Sequence, residues 1–164
     1  MVGPAAIEFR ITGPGSADLE FKIGDQAFVA GGVSYTTDVL GDLVRSALAI
    51  ATGVGRAKVF FDREPAEWRL VLDSLLDAST GLGPVQIRIL EFPDVFIERP
   101  DSEGHEVFKA DCGALEFSAA VLMMAEKAKP GFEQFGLSYQ DFPLVAVQAL
   151  KSALAAYSGS KPPS

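Results

Sequence analysis

Twice within its first twenty-three residues the chain alternates apolar and polar side chains with period two, and no other feature constrains its fold as tightly. Ile7, Phe9 and Ile11 fall on one side with Glu8, Arg10 and Thr12 on the other; Leu19, Phe21 and Ile23 then interleave with Asp18, Glu20 and Lys22. Successive side chains of a strand point to opposite faces, so each run predicts a strand with one dry and one wet face. Gly13-Pro14-Gly15-Ser16 between them is turn chemistry, and the pair reads as an antiparallel hairpin whose dry face needs a cover. A third strand is expected after Gly24-Asp25, from Gln26 to Ala30, with Gly31-Gly32 ending it.

The period then changes. Val39, Leu40, Leu43, Val44, Ala47 and Leu48 recur at helical spacing, Thr36 or Thr37 is expected to cap the amino end, Asp38 and Asp42 sit where the dipole favours acids, and Gly53 is placed to end the helix. Residues 57–61 and 85–90 read as strands. Between them Trp68, Val71, Leu72, Leu75 and Leu76 fit a helix, whereas Trp68, Leu70 and Leu72 fit a strand. A strand over 66–73 is preferred, because both neighbours are strands and a meander connects them by short turns.

A further hairpin is expected from Val95-Phe96-Ile97, through residues 100–104, to Val107-Phe108-Lys109. Ala114, Phe117, Val121, Met124 and Ala128 form a helical stripe that Pro130-Gly131 should stop. A last helix starts near Asp141 to Pro143 and carries Phe142, Ala146, Ala149, Leu150, Ala153 and Tyr157 on one face. The order, strands then a helix then strands then two helices, lacks βαβ alternation. It predicts an α+β fold: a largely antiparallel β-sheet of about six or seven strands with three helices packed mainly on one face. Residues 1–157 read as a single domain and 158–164 as a disordered tail.

Ser34-Tyr35-Thr36-Thr37-Asp38, Leu40-Gly41-Asp42-Leu43, Phe60-Phe61-Asp62-Arg63-Glu64-Pro65, the run Ile87-Arg88-Ile89-Leu90-Glu91-Phe92 and Phe142-Pro143-Leu144 together resemble a family of small uncharacterised bacterial α+β proteins. The resemblance covers most of the chain, and its motifs are turns, caps and core positions. It implies one domain and a bacterial origin, and no activity.

Function is constrained mainly by what the chain has little of. One histidine (His105) and one cysteine (Cys112) strand every Ser-His-Asp, Cys-His or histidine-based zinc arrangement on a single residue. These two lie seven positions apart across an expected strand, and odd spacing there sends side chains to opposite faces. Asp62, Glu64 and Glu67 gather around Pro65 with Arg63 among them and read as a solvated turn. Gly53-Val54-Gly55 follows a helix rather than preceding one, the reverse of a phosphate loop. No catalytic residue, metal site or cofactor is assigned.

At 164 residues and 48% hydrophobic composition the chain is apolar enough to fold around a core, yet 22 acidic against 14 basic residues leave a net charge of -8. That surface repels nucleic-acid backbones and anionic membranes and favours a basic protein partner. The lack of a signal-peptide pattern suggests a cytoplasmic location. The most acidic stretch, Asp94, Glu98, Asp101, Glu103 and Glu106, is the expected partner-binding site, on a hairpin accessible to an approaching surface. The leading expectation is a non-enzymatic acidic protein-binding module; one version is an immunity- or antitoxin-like protein masking a basic toxin. The alternative is a small-ligand-binding protein or minor enzyme with a pocket between sheet and helices, and a homo-oligomer joined through an apolar helix or strand edge is a third reading.

Overall fold

A computed structural model describes residues 3–34, 38–63, 66–75, 83–94, 98–135 and 141–159. Seven strands follow one another as an antiparallel meander whose order in the sheet is the order in the chain. They are β1 (Ala5–Gly13), β2 (Ser16–Ile23), β3 (Gln26–Ser34), β4 (Arg56–Arg63), β5 (Ala66–Ser74), β6 (Pro84–Phe92) and β7 (His105–Gly113). Helix α1 (Val39–Ala51) lies between β3 and β4, and α2 (Ala114–Phe135) and α3 (Leu144–Gly159) follow β7. α1 packs on β4, α2 on β1, and the helices on one another, which is the α+β arrangement expected from the element order.

The alternation that predicts the strands also sets their faces. Ile7 and Phe9 of β1, Leu19, Phe21 and Ile23 of β2, Val59 and Phe61 of β4, Leu70 and Leu72 of β5 and Val85, Ile87 and Ile89 of β6 all turn to one core. Helices supply the rest of that core: Leu40, Leu43, Val44 and Ala47 from α1, Phe117, Val121 and Met124 from α2, Leu150 from α3. Burying each large side chain contributes about 2 kcal/mol relative to leaving it in water. Ser118 Oγ, fully buried on α2, donates to Ala47 O on α1 at 3.2 Å, so this buried hydroxyl is satisfied.

The sheet is strongly coiled. Phe108 of β7 meets Phe21 of β2 at 6.4 Å and Phe28 of β3 at 6.2 Å, while Trp68 of β5 stands edge-on to Phe28 at 5.8 Å. Gly3 N, just ahead of β1, donates to Asp111 O of β7 at 3.3 Å, so the two ends of the ladder touch.

Several boundaries differ from expectation. Gly31-Gly32 does not end β3, which continues to Ser34. The register passes from Leu19↔Ala30 to Ala17↔Val33, one extra residue on β3, and Gly32 at φ 68° absorbs it as a bulge while its N–H bonds Asp18 Oδ1 at 3.0 Å. The cap of α1 is Asp38, which accepts from Gly41 N at 3.1 Å, not Thr36 or Thr37, which lie outside the described residues. Gly53, at φ 99°, does follow the end of α1. Residues 66–73 are strand, within β5. β7 pairs with β6, from Pro84↔Gly113 to Glu91↔His105, and the other arm of the expected hairpin, 95–97, lies outside the described residues.

Pro130-Gly131 does not stop α2, which runs on to Phe135. Phe132 is buried beyond the proline and stacks edge-on with Phe142 at 5.8 Å, and that packing offsets the lost backbone bond. α3 likewise takes in Ser158 and Gly159, the first residues of the expected tail. Among the described residues no helix is long and apolar enough to cross a membrane.

Candidate functional site

Parity places Lys58 and Phe60 of β4, Glu67, Arg69, Val71 and Asp73 of β5 and Arg88, Leu90 and Phe92 of β6 on the sheet face away from the main core. Val71, Leu90 and Phe92 are nonetheless buried, as a second small apolar cluster. Its cover is the segment 98–104, whose Gly104 comes so close that a Cβ there would stand 2.7 Å from Phe92 Cζ. Sunk into this cluster is Arg69, only 5% exposed. Its guanidinium lies 4.2 Å from the Phe92 ring centre and 4.9 Å from that of Phe60, donates to Asp101 Oδ1 at 2.7 Å and caps the Arg99 carbonyl at 2.8 Å. Lys58 Nζ takes the other Asp101 oxygen at 2.7 Å. A buried cation held by Asp101, the Arg99 carbonyl and two ring faces, with Glu67 3.8 Å away, is strongly positioned, and it pins the covering segment in one shape.

The five carboxylates of the expected partner site therefore divide. Asp101 is turned inward: burial alone would raise its carboxyl, but hydrogen bonds from Lys58 and Arg69 outweigh that and hold it below its ordinary value. Asp94 is half-buried after β6. Glu98, Glu103 and Glu106 are exposed. Glu103 lies 3.5 Å from Arg99, while Glu98 and Glu106 have no ion-pair partner among the described residues. Glu98 also borders a hollow of about 520 Å³ with Lys58, Phe60, Arg69, Arg99, Pro100 and Asp101. Arg69 and Lys58 are the residues that sequence reasoning missed. The alternation Trp68, Leu70, Leu72 assigns Arg69 to the far face, and only the tertiary cover over that face makes it an anchor.

Cys112 and His105 stand on one strand, paired with Val85 and Glu91 respectively, about 23 Å apart along β7. Cys112 is fully buried, and burial, with Glu116 and Asp111 nearby, pushes its thiol up to about 12. A thiol so placed stays protonated at neutral pH. His105 is exposed. Among the described residues no three His, Cys, Asp or Glu side chains are grouped to hold a metal ion. Around β4 and β5, burial pushes the Glu67 carboxyl above its ordinary value against the pull of Arg69 3.8 Å away.

A second concavity, of about 410 Å³, runs between β1 and α2. Residues 7–11 form one wall, and Met124, Lys127, Ala128 and Gly131 the other. Gly131 lets the walls approach, since a Cβ there would be 3.1 Å from Ile11 Cδ1. The chain's aromatic side chains Phe28, Phe61, Trp68, Phe108 and Phe132 serve packing instead.

Comparison of the chain with protein-family models, with curated proteins and with solved structures finds no match in any of the three.

Proposed function

We propose that this protein is a non-enzymatic binding module that engages a basic protein through the exposed carboxylates Glu98, Glu103 and Glu106. The observation that carries the reading is the anchoring of the segment with Glu98 and Glu103, which leads into β7 and Glu106, by Arg69, Lys58 and Asp101. Side chains held on a pre-shaped segment lose less entropy when a partner docks, and an overall charge of -8 steers a cationic surface toward them. Asp101 belongs to the scaffold of the site and not to its contact surface. An immunity- or antitoxin-like protein that masks a cationic enzyme is one concrete form of this function.

The test is retention of proteins from the native host on the immobilised chain, beside a variant carrying Glu98→Lys, Glu103→Lys and Glu106→Lys. A basic protein held at about 50 mM salt, released as the screening length shrinks well below about 10 Å, and not held by the variant is the expected result. Retention of the same proteins by both chains would refute it.

A further inference from the structure

We infer that the outer face of α2 and α3 is the interface through which two copies of this chain form a weak twofold dimer. This face lies on elements other than those that carry Glu98, Glu103 and Glu106.

α3 is apolar on both of its sides. Val147 and Leu150 are buried, whereas Val145 is 80% exposed and Leu144 47%. A helix that is hydrophobic all round is ordinarily covered all round, and one side of this one is bare. α2 adds Met123, 59% exposed. The two bare sides join. Phe132 of α2 meets Phe142, just ahead of α3, while Glu126, earlier on α2, lies 4.0 Å from Lys151, farther along α3, so the helices run antiparallel side by side. Met123 shares the stripe of Glu126 on its helix, and Leu144 and Gln148 share that of Lys151 on theirs, at i, i+3 and i, i+7 spacing. All of these are exposed, which makes the surface continuous across the seam between the helices.

Charge selects the occupant. α2 carries Glu116, Glu126 and Glu133 against Lys127 and Lys129, and α3 carries only Lys151, so the two helices together are neutral on a chain of net charge -8. A basic partner is drawn to the acidic elements instead, and an anionic membrane is repelled. Two like-charged copies can meet at this face without setting acid against acid. A twofold axis is self-complementary here, because it sets Lys151 of one protomer opposite Glu126 of its partner, and the reverse. α3 is about 24 Å long, and two helix widths of about 10 Å each give a footprint of about 500 Å² per copy. That falls below the roughly 800 Å² of a standard interface, so the dimer is weak and reversible.

Sedimentation equilibrium of the full chain, from about 1 μM to about 1 mM, tests this. The mass should rise from one chain toward two. Salt at about 0.5 M should tighten the dimer by screening two like-charged bodies, the opposite of its effect on a partner held by carboxylates. Val145→Glu with Met123→Glu, exposed changes that preserve the circular dichroism spectrum, should weaken association at least about tenfold. Lys151→Glu should weaken it as well and Glu126→Lys added to it should restore it, whereas the Glu98, Glu103 and Glu106 charge reversals should not weaken it. Three results overturn the inference: the mass of a single chain at every concentration, which would leave the face to another protein; association unchanged in the Val145→Glu, Met123→Glu variant; or a dimer that dissociates in salt.

Discussion

Arg69 shows how one side chain can decide the shape of a surface. Its charge lies between two aromatic rings, where leaving it unpaired would cost several kcal/mol, so Asp101 and the Arg99 carbonyl are drawn to it. Removing only the acid should hurt more than removing both partners: Asp101→Asn is expected to lower stability by about 3 kcal/mol, and Asp101→Asn with Arg69→Met to recover part of it, measured by urea unfolding. The pair also fixes an acid response. Asp101 titrates below its ordinary 3.8, so its stabilisation is complete above that pH and disappears as pH falls through the lowered value. The gap between wild type and Asp101→Asn should accordingly narrow as pH is lowered below about 4. Glu67, raised above its ordinary 4.5 by burial, acts in the other sense: its ionisation costs the fold stability, and Glu67→Gln should leave the protein equally or more stable at neutral pH. Cys112 gives a simpler test, since a fully buried thiol at about 12 should react with Ellman's reagent only at the rate of unfolding. Rapid labelling of the native chain would contradict that burial.

Elements were legible in proportion to how local their causes are. β1 and β2 follow from strict alternation, and β5 from Trp68, Leu70 and Leu72 against a competing helical pattern. Pro130-Gly131 predicts an early end to α2 because Pro and Gly are locally unfavourable, while the reason it continues, burial of Phe132 against Phe142, involves the segment just ahead of α3. Pro130 itself is exposed. Pro130→Ala should therefore restore a helical hydrogen bond and raise stability by about 1–3 kcal/mol, read as a shift in the urea midpoint at constant slope. The candidate sites were less legible than the fold. The acidic run 94–106 is plain in the sequence, yet which of its carboxylates face outward depends on the cation beneath them. The bare side of α3 could not be read at all, because apolar residues run round the whole helix and only packing decides which of them are covered.

Over the whole molecule the aromatic side chains act as a single joint. Trp68, the only tryptophan, touches Phe28 and Phe61 and donates from Nε1 to Glu91 at 3.0 Å, so it reports on β3, β4, β5 and β6 together. If the coiled sheet and its helices form one cooperative unit, Trp68 fluorescence and far-ultraviolet circular dichroism should lose signal at the same urea concentration. Separate midpoints would show that the halves of the sheet unfold independently. The contact of Gly3 with Asp111 carries one more consequence, for synthesis. β1 leaves the ribosome roughly a hundred residues ahead of its closing neighbours β7 and α2. Such distant pairing makes for unhurried folding, on the millisecond-to-second scale, and leaves the nascent β1–β2 hairpin exposed to chaperones in the interval.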